Sequence, residues 1–225
     1  MKRVEVVVWS DFVCPWCWIA KRRLEQAIRA VETEVEVVVE LKAYRLAKGM
    51  MPTDFATALA RKFGSVKQAA EMMGAVSDQA ELEGLRYRFD SMRFGDTVDA
   101  HALVKSAASR EARASIAEML FQAGTTDGKD IFDRAVLLQL GADAGIRPGE
   151  IDFEGKSLLT QIKEDEMEAN AIASGVPLFV FNSRTYISGA QPVQVFERAL
   201  RESAVSVDTQ GQVHGQSCSS DGCDW

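Results

Sequence analysis

The sequence predicts an α/β fold in which a small sheet with packed helices is interrupted by a large all-helical segment. Three observations carry that prediction. Strand, helix and strand patterns follow one another before Tyr44, helical periodicity dominates from about Thr53 to Ala173, and strand patterning returns at Leu178. A chain of 225 residues, 47% hydrophobic and 26% charged, is long enough for one large domain or one domain with a substantial insertion.

The first element, KRVEVVVW at residues 2–9, is β-branched and nearly continuous in apolar character, as a strand buried on both faces is. From Cys14 the period changes. Pro15 suits a first helical turn, and Leu24, Ala27, Ile28 and Val31 recur at helical spacing opposite Lys21, Arg22, Glu25 and Arg29. Val35 to Ala43 then alternates, with Val35, Val37, Val39 and Leu41 on one face, which completes a βαβ unit. The helical middle includes a helix start at Thr97 after Asp96, another at Asp130 after Gly128, a break at Ile146–Asp152 and a short extended piece at Leu85, Tyr87 and Phe89. Leu178–Phe181 and Thr185–Ser188 flank the polar turn Asn182-Ser183-Arg184 and read as a hairpin. Pro192 opens a helix with Val193, Phe196 and Leu200 on one face. Joined together, the outer parts make a four-stranded sheet of mixed direction, the thioredoxin arrangement with an insertion. The expected division is 1–52 with 171–203 as the thioredoxin-like domain, 53–170 as the helical insertion, and 204–225 as a flexible tail rich in Ser, Gly, Gln and Asp.

Composition excludes some functions. A formal charge of −7 and a pI near 5.0 argue against a non-specific nucleic-acid or anionic-membrane binder, both of which need surplus Lys and Arg. No apolar run approaches the roughly 18 residues of a membrane span. The start MKRVEVVVWSD has too short an apolar run and lacks a small-residue cleavage site, so the expected location is cytoplasmic.

Chemistry concentrates at Cys14-Pro15-Trp16-Cys17, between the first strand and the first helix. A zinc site needs four thiolate or imidazole ligands. Cys14, Cys17, Cys218 and Cys223 supply four, but a strand-to-helix C-x-x-C is not a zinc-knuckle turn, and His101 and His214 lie at non-ligand spacing. A structural staple fits poorly as well, because a bridge over so short a loop contributes only about 2 kcal/mol, against about 5 for one joining the two pairs. A redox pair has a mechanism: Cys14 at a helix N-terminus sees the positive end of the helix dipole, which favours the thiolate, while Cys17, a turn deeper and more shielded, resolves the mixed disulfide. Trp16 adds apolar surface without charge. Val176-Pro177 precedes the strand LFVF. In a thioredoxin arrangement that position holds a cis-proline facing the cysteines, and the residue before it offers backbone hydrogen bonds to an extended substrate.

The stretches SDFVCPWCWIAKRRLEQAI, DGKDI and GVPLFVFNSRTYISGAQPVQVFERAL resemble the DsbA-like thiol oxidoreductases of the FrnE type over roughly residues 3–203. The resemblance implies thiol-disulfide exchange at Cys14 and Cys17, a cis peptide between Val176 and Pro177, and a cytoplasmic bacterial setting. It also implies disulfide-containing or thiol protein substrates, no bound cofactor, and glutathione or another thiol as electron donor. Since the cytosol is reducing, reductase or isomerase work fits that setting better than net oxidation. Some FrnE-type proteins carry a further C-terminal C-x4-C pair, and Cys218-Ser-Ser-Asp-Gly-Cys223 has that form, a second redox pair within reach of Cys14. Two departures concern substrate contacts: AYRLAKGMMP lacks the Leu-Asn-Pro signature, and the segment before Gly175 is one residue short.

Glutathione-dependent isomerases of the 2-hydroxychromene-2-carboxylate type and kappa-class transferases belong to the same superfamily but typically have serine where Cys14 stands. The intact pair therefore favours redox work over the isomerase alternative. His101, where the family tends to carry an Ala-His motif, reads as a packed or capping histidine before a catalytic one. Met72 and Met73 read as core, and EDEME at 164–168 as a solvated helix face.

Overall fold

In the computed structural model, residues 1–205 are described, and their elements alternate much as the periodicities require. The order is β1 (Lys2–Ser10), α1 (Pro15–Val31), β2 (Val35–Ala43), β3 (Thr53–Asp54), α2 (Phe55–Phe63), α3 (Val66–Leu82), β4 (Arg93–Phe94), α4 (Val98–Ser106) and α5 (Arg110–Phe121). They are followed by α6 (Arg134–Asp143), α7 (Lys156–Ile172), β5 (Leu178–Phe181), β6 (Thr185–Ser188) and α8 (Val193–Val205). The main sheet runs β2-β1-β5-β6, with β1 parallel to β2 and antiparallel to β5. This is the thioredoxin fold interrupted by a helical segment between β2 and β5.

The central strand has two apolar faces because both are covered. Val4, Val6 and Val8 pack with α1 and α8 through Ala20, Leu24, Phe196 and Leu200. Trp9, on the opposite face, joins a cluster that reaches through Cys14 and Cys17 to Leu103, Ile116, Leu120 and Leu137 of the helical segment. The core under the cysteines is therefore continuous with that of the insertion. At the far end, Asn182 and Ser183 both take positive φ (48° and 55°), and the Arg184 amide donates to the Phe181 carbonyl at 3.0 Å. That is the primed turn a right-twisted hairpin prefers.

Three expectations change and one is sharpened. Asp165 and Glu166 of the EDEME run are buried, not solvated. Asp165 accepts from the Ala43 amide at 2.9 Å and from Lys105 at 2.6 Å, and Glu166 pairs with Arg45 and Lys48, so α7 is bolted to the end of β2 by paired charges. The extended piece at Leu85, Tyr87 and Phe89 joins no sheet. Their segment bonds instead to the helical turn Gln122–Thr126 that follows α5, with Arg88 N donating to Thr125 O and the Thr126 hydroxyl donating to Arg86 O, and the only pairing among the described residues outside the main sheet is β3 with β4. Asp130 folds a local turn by accepting from the Phe132 amide, and Asp133 is the true cap of α6, accepting from the Ala135 amide at 2.8 Å. Finally, helix α8 continues through Ala204 to Val205, because Ala204 is buried against the sheet.

Candidate active site

β1 ends where its sheet pairing ends, at Ser10, and the chain then tightens into the first turn of α1. The Cys14 amide donates to Asp11 O at 3.1 Å and the Cys17 amide to Cys14 O at 3.1 Å, while Pro15, with no amide hydrogen to leave unpaired, occupies the first helical turn. Cys14 is the N-cap residue, and no side chain caps its helix. Both cysteines carry free thiols. The Cys14 Sγ lies 3.8 Å from the carbonyl oxygen of Val176, the residue whose bond to Pro177 is cis. The structure thus brings together Cys14, Pro15, Trp16, Cys17, Val176 and Pro177, with Trp16, Val176 and Pro177 lining one shallow groove with Gly189.

Shielding does not separate the two thiols: Cys14 is 0% exposed and Cys17 2%. Surroundings do. Burial pushes the Cys17 thiol well up from its ordinary value, reinforced by its hydrogen bond with Cys14 and the negative charges of Cys14 and Asp11, so Cys17 holds its proton.

Three residues that sequence reasoning passed over complete the site. Tyr87, from the connector after α3, donates from Oη to the Pro15 carbonyl at 2.6 Å and stacks on Trp18, which stacks in turn on Phe121. Burial, and then the two cysteines, hold its phenol well above its ordinary value, so it stays a donor. Tyr44 donates from Oη to Asn170 Oδ1 at 2.9 Å, which ties the end of β2 to α7, the helix that leads to Val176. Asp11 is fully buried; its carboxylate accepts from the Leu46 amide at 2.7 Å, the Thr97 hydroxyl at 2.7 Å and the Val13 amide at 3.4 Å. Desolvation outweighs those bonds and raises its pKa to about 7. Its only sequence signal was an acid placed between an apolar strand and Phe12-Val13.

His101 packs beside this group. Its ring lies 4.7 Å from that of Phe12, and its Nε2 donates to the Tyr44 carbonyl at 3.0 Å. Burial lowers its pKa to about 3, so it is neutral and its proton is engaged by backbone. Cys218 and Cys223 lie outside the described residues. Among the described residues, no group of three His, Cys, Asp or Glu side chains is arranged to hold a metal ion, and no helix is long and apolar enough to cross a membrane.

A thioredoxin fold with two cysteines at the start of its first helix defines the class of the protein. The chain belongs to the family described as DSBA-like thioredoxin domain, which matches residues 5–201 and whose members are thiol-disulfide oxidoreductases. It is similar to a probable DsbA oxidoreductase of Streptomyces coelicolor, 30% identical with a TM-score of 0.80 over 99% of both chains. Two more distant structures share the fold. One is the cytosolic disulfide reductase DsbM of Pseudomonas aeruginosa, 20% identical with TM-score 0.61 over 91% of this chain and 97% of that one. The other is a 2-hydroxychromene-2-carboxylate isomerase, 13% identical with TM-score 0.65 over 88% and 95%.

Proposed function

We propose that the protein is a thiol-disulfide oxidoreductase or isomerase of the FrnE type that exchanges disulfides with protein or peptide substrates through Cys14 and Cys17. The observation that carries this reading is the approach of the Cys14 sulfur to the Val176 carbonyl, with a protonated Cys17 behind it. An extended substrate accepts and donates along the Val176 backbone and presents its disulfide to Cys14. Because Cys14 is covered, docking first opens the groove beside Trp16 and Gly189. The Cys14 thiolate attacks one substrate sulfur, forming a mixed disulfide and releasing the other sulfur as a thiolate. Cys17 then gives up its proton and attacks Cys14 Sγ, which releases the second substrate thiol and leaves a Cys14–Cys17 disulfide. Two electrons from glutathione or another thiol donor restore the dithiol; no bound cofactor takes part.

The setting in this proposal is cytoplasmic, with neither nucleic acid nor membrane as partner, and Cys218 and Cys223 act as a second pair that exchanges with the first. Insulin reduction and scrambled-ribonuclease refolding test the central claim. Cys14→Ser abolishes both, and full activity in that variant overturns the proposal. Cys218→Ser with Cys223→Ser slows turnover of the scrambled substrate; an unchanged rate and an unchanged potential of the first pair remove the second pair from the scheme.

The runner-up is a glutathione-dependent isomerase or transferase acting on a small molecule; a cavity of about 440 Å³ between Leu46, Met50 and α2 has room for such a substrate, although its lining includes neither Cys14 nor Val176. Isomerisation of a chromene carboxylate that needs glutathione and survives Cys17→Ser selects that reading.

A further inference from the structure

A second recess reaches the thiol pair from the opposite side. Between α1, α5 and the sheet lies a cleft of about 140 Å³. Its floor is a row across three adjacent strands, Phe179, Val8 and Leu41, which the pairing of Val8 with both Phe179 and Leu41 sets side by side. One wall is the stripe Cys17, Leu24 and Ile28 of α1; the other is Ala114, Ala117 and Phe121 of α5. Ala114 is exposed and Ile28 half-buried, whereas Cys17, Ala117 and Phe179 are buried, so the cleft opens to solvent at one end and closes on Cys17 at the other. At the α1–α5 seam, Lys21 also lines it; its ammonium bridges to Glu118 on α5 at 2.6 Å, and Arg22 pairs with the same carboxylate, so charges hold the two walls together.

We propose that this cleft is a binding site for a small uncharged single-ring aromatic molecule, which rests against the Cys17 thiol. Three features select that ligand class. The volume is close to that of a cavity which accepts benzene. The lining is mostly hydrocarbon; besides the thiol it includes Ser10, Lys21 and Glu25, and the last two are paired with each other, so a charged ring would lose its hydration without an unpaired charge to replace it. The sulfur is polarisable and makes favourable contact with an aromatic ring about 5 Å away. An occupant excludes water and reagents from Cys17, the group whose deprotonation the exchange reaction needs, and thereby couples a site on the α1–α5 face to the thiol pair. The binding itself does not rest on the exchange function, and its test uses no turnover.

The probe is benzene, with toluene as a second. In the full chain carrying Cys14→Ser, alkylation of Cys17 by a small iodoacetamide reagent slows about tenfold at benzene ten times its dissociation constant, and wild-type thermal stability rises saturably over the same range. In Ala117→Leu, whose larger side chain fills the cleft, neither response occurs. Overturning results are an unchanged alkylation rate, an unchanged melting temperature, or equal responses in wild type and Ala117→Leu. Should Ala117→Leu not fold, xenon-pressurised crystals of the wild type decide: a xenon atom beside Cys17 supports the site, and xenon bound elsewhere alone overturns it. Exchange activity lost in Cys14→Ser but no benzene response sinks this inference while leaving the proposed function standing.

Discussion

Asp11 and Asp165 are both buried acids next to the end of the β1–β2 pair, and they are built in opposite ways. Asp165 meets an ammonium, Lys105 at 2.6 Å, and the Ala43 amide. Asp11 meets two backbone amides and one hydroxyl, and the only potential cation within 4.0 Å of it among the described residues is His101, at 3.9 Å and neutral. On the α7 face a charge is matched and serves as a bolt. Three residues before Cys14 it is left unmatched, so its proton is gained and lost near neutral pH. Burial alone does not decide what an acid does; the partner supplied to it does.

The largest way to break the contrast is Asp165→Ala, which strands the Lys105 ammonium and the Ala43 amide. Urea unfolding should show a loss of about 3–5 kcal/mol. Loss below about 1 kcal/mol would mean that solvent reaches the site and that α7 is not bolted there.

The second prediction concerns pH. The folded pKa of Asp11 is raised from 3.8 to about 7, so its contribution to stability is fully present below pH 3.8 and is lost as pH rises through 7. The folded pKa of His101 is lowered from 6.5 to about 3, so its contribution is present above pH 6.5 and is lost as pH falls through 3. Between about pH 4 and 6.5 the two slopes oppose and nearly cancel. Asp11→Asn removes one of them, and the Thr97 hydroxyl can turn to accept from the new amide. Stability of that variant relative to wild type then falls by about 1.4 kcal/mol for each pH unit of acidification in this window. Denaturant melts at three pH values measure it; parallel profiles for the two proteins would deny Asp11 its raised pKa.

Tyr87→Phe keeps the stack on Trp18 but removes the hydrogen bond to Pro15. The expected loss is about 1 kcal/mol in denaturant unfolding, and no loss would show that the bond to the Cys14-to-Cys17 turn is idle. The smallest effect belongs to Lys48→Ala: its ammonium pairs with Glu166 from a side chain 57% exposed, so the change stays below about 0.5 kcal/mol. A larger loss would extend the bolt to the protein surface.

These contrasts mark where sequence reasoning stopped. β2 falls on the residues its alternation marked, and β5 and β6 on those flanking the polar turn Asn182-Ser183-Arg184, because these signals are local. Cys14 to Cys17 were legible for the same reason: the spacing, the proline and the flanking strand and helix are contiguous. The burial of Asp165 and Glu166 was not, since acids at successive helix positions read as solvated unless Lys105 and Arg45, far off in the chain, are known to face them. The extended piece at Tyr87 was legible from its alternation, but its contact with Pro15 was not, because Pro15 lies far off in the chain. Asp11 and Tyr44 act through partners at 46, 97 and 170, which no local period reveals.

The strand order has one more consequence, for the order of events on the ribosome. β1 and α1 emerge first and carry Cys14 and Cys17, but the strand that flanks β1 on its other side, and the Val176 carbonyl that faces Cys14, follow only after residue 175. At a synthesis rate of about 5–20 residues per second, the nascent thiols wait on the order of ten to thirty seconds for that partner. For that interval the two cysteines have only neighbours from the first three quarters of the chain, and they are open to any thiol or disulfide near the exit tunnel.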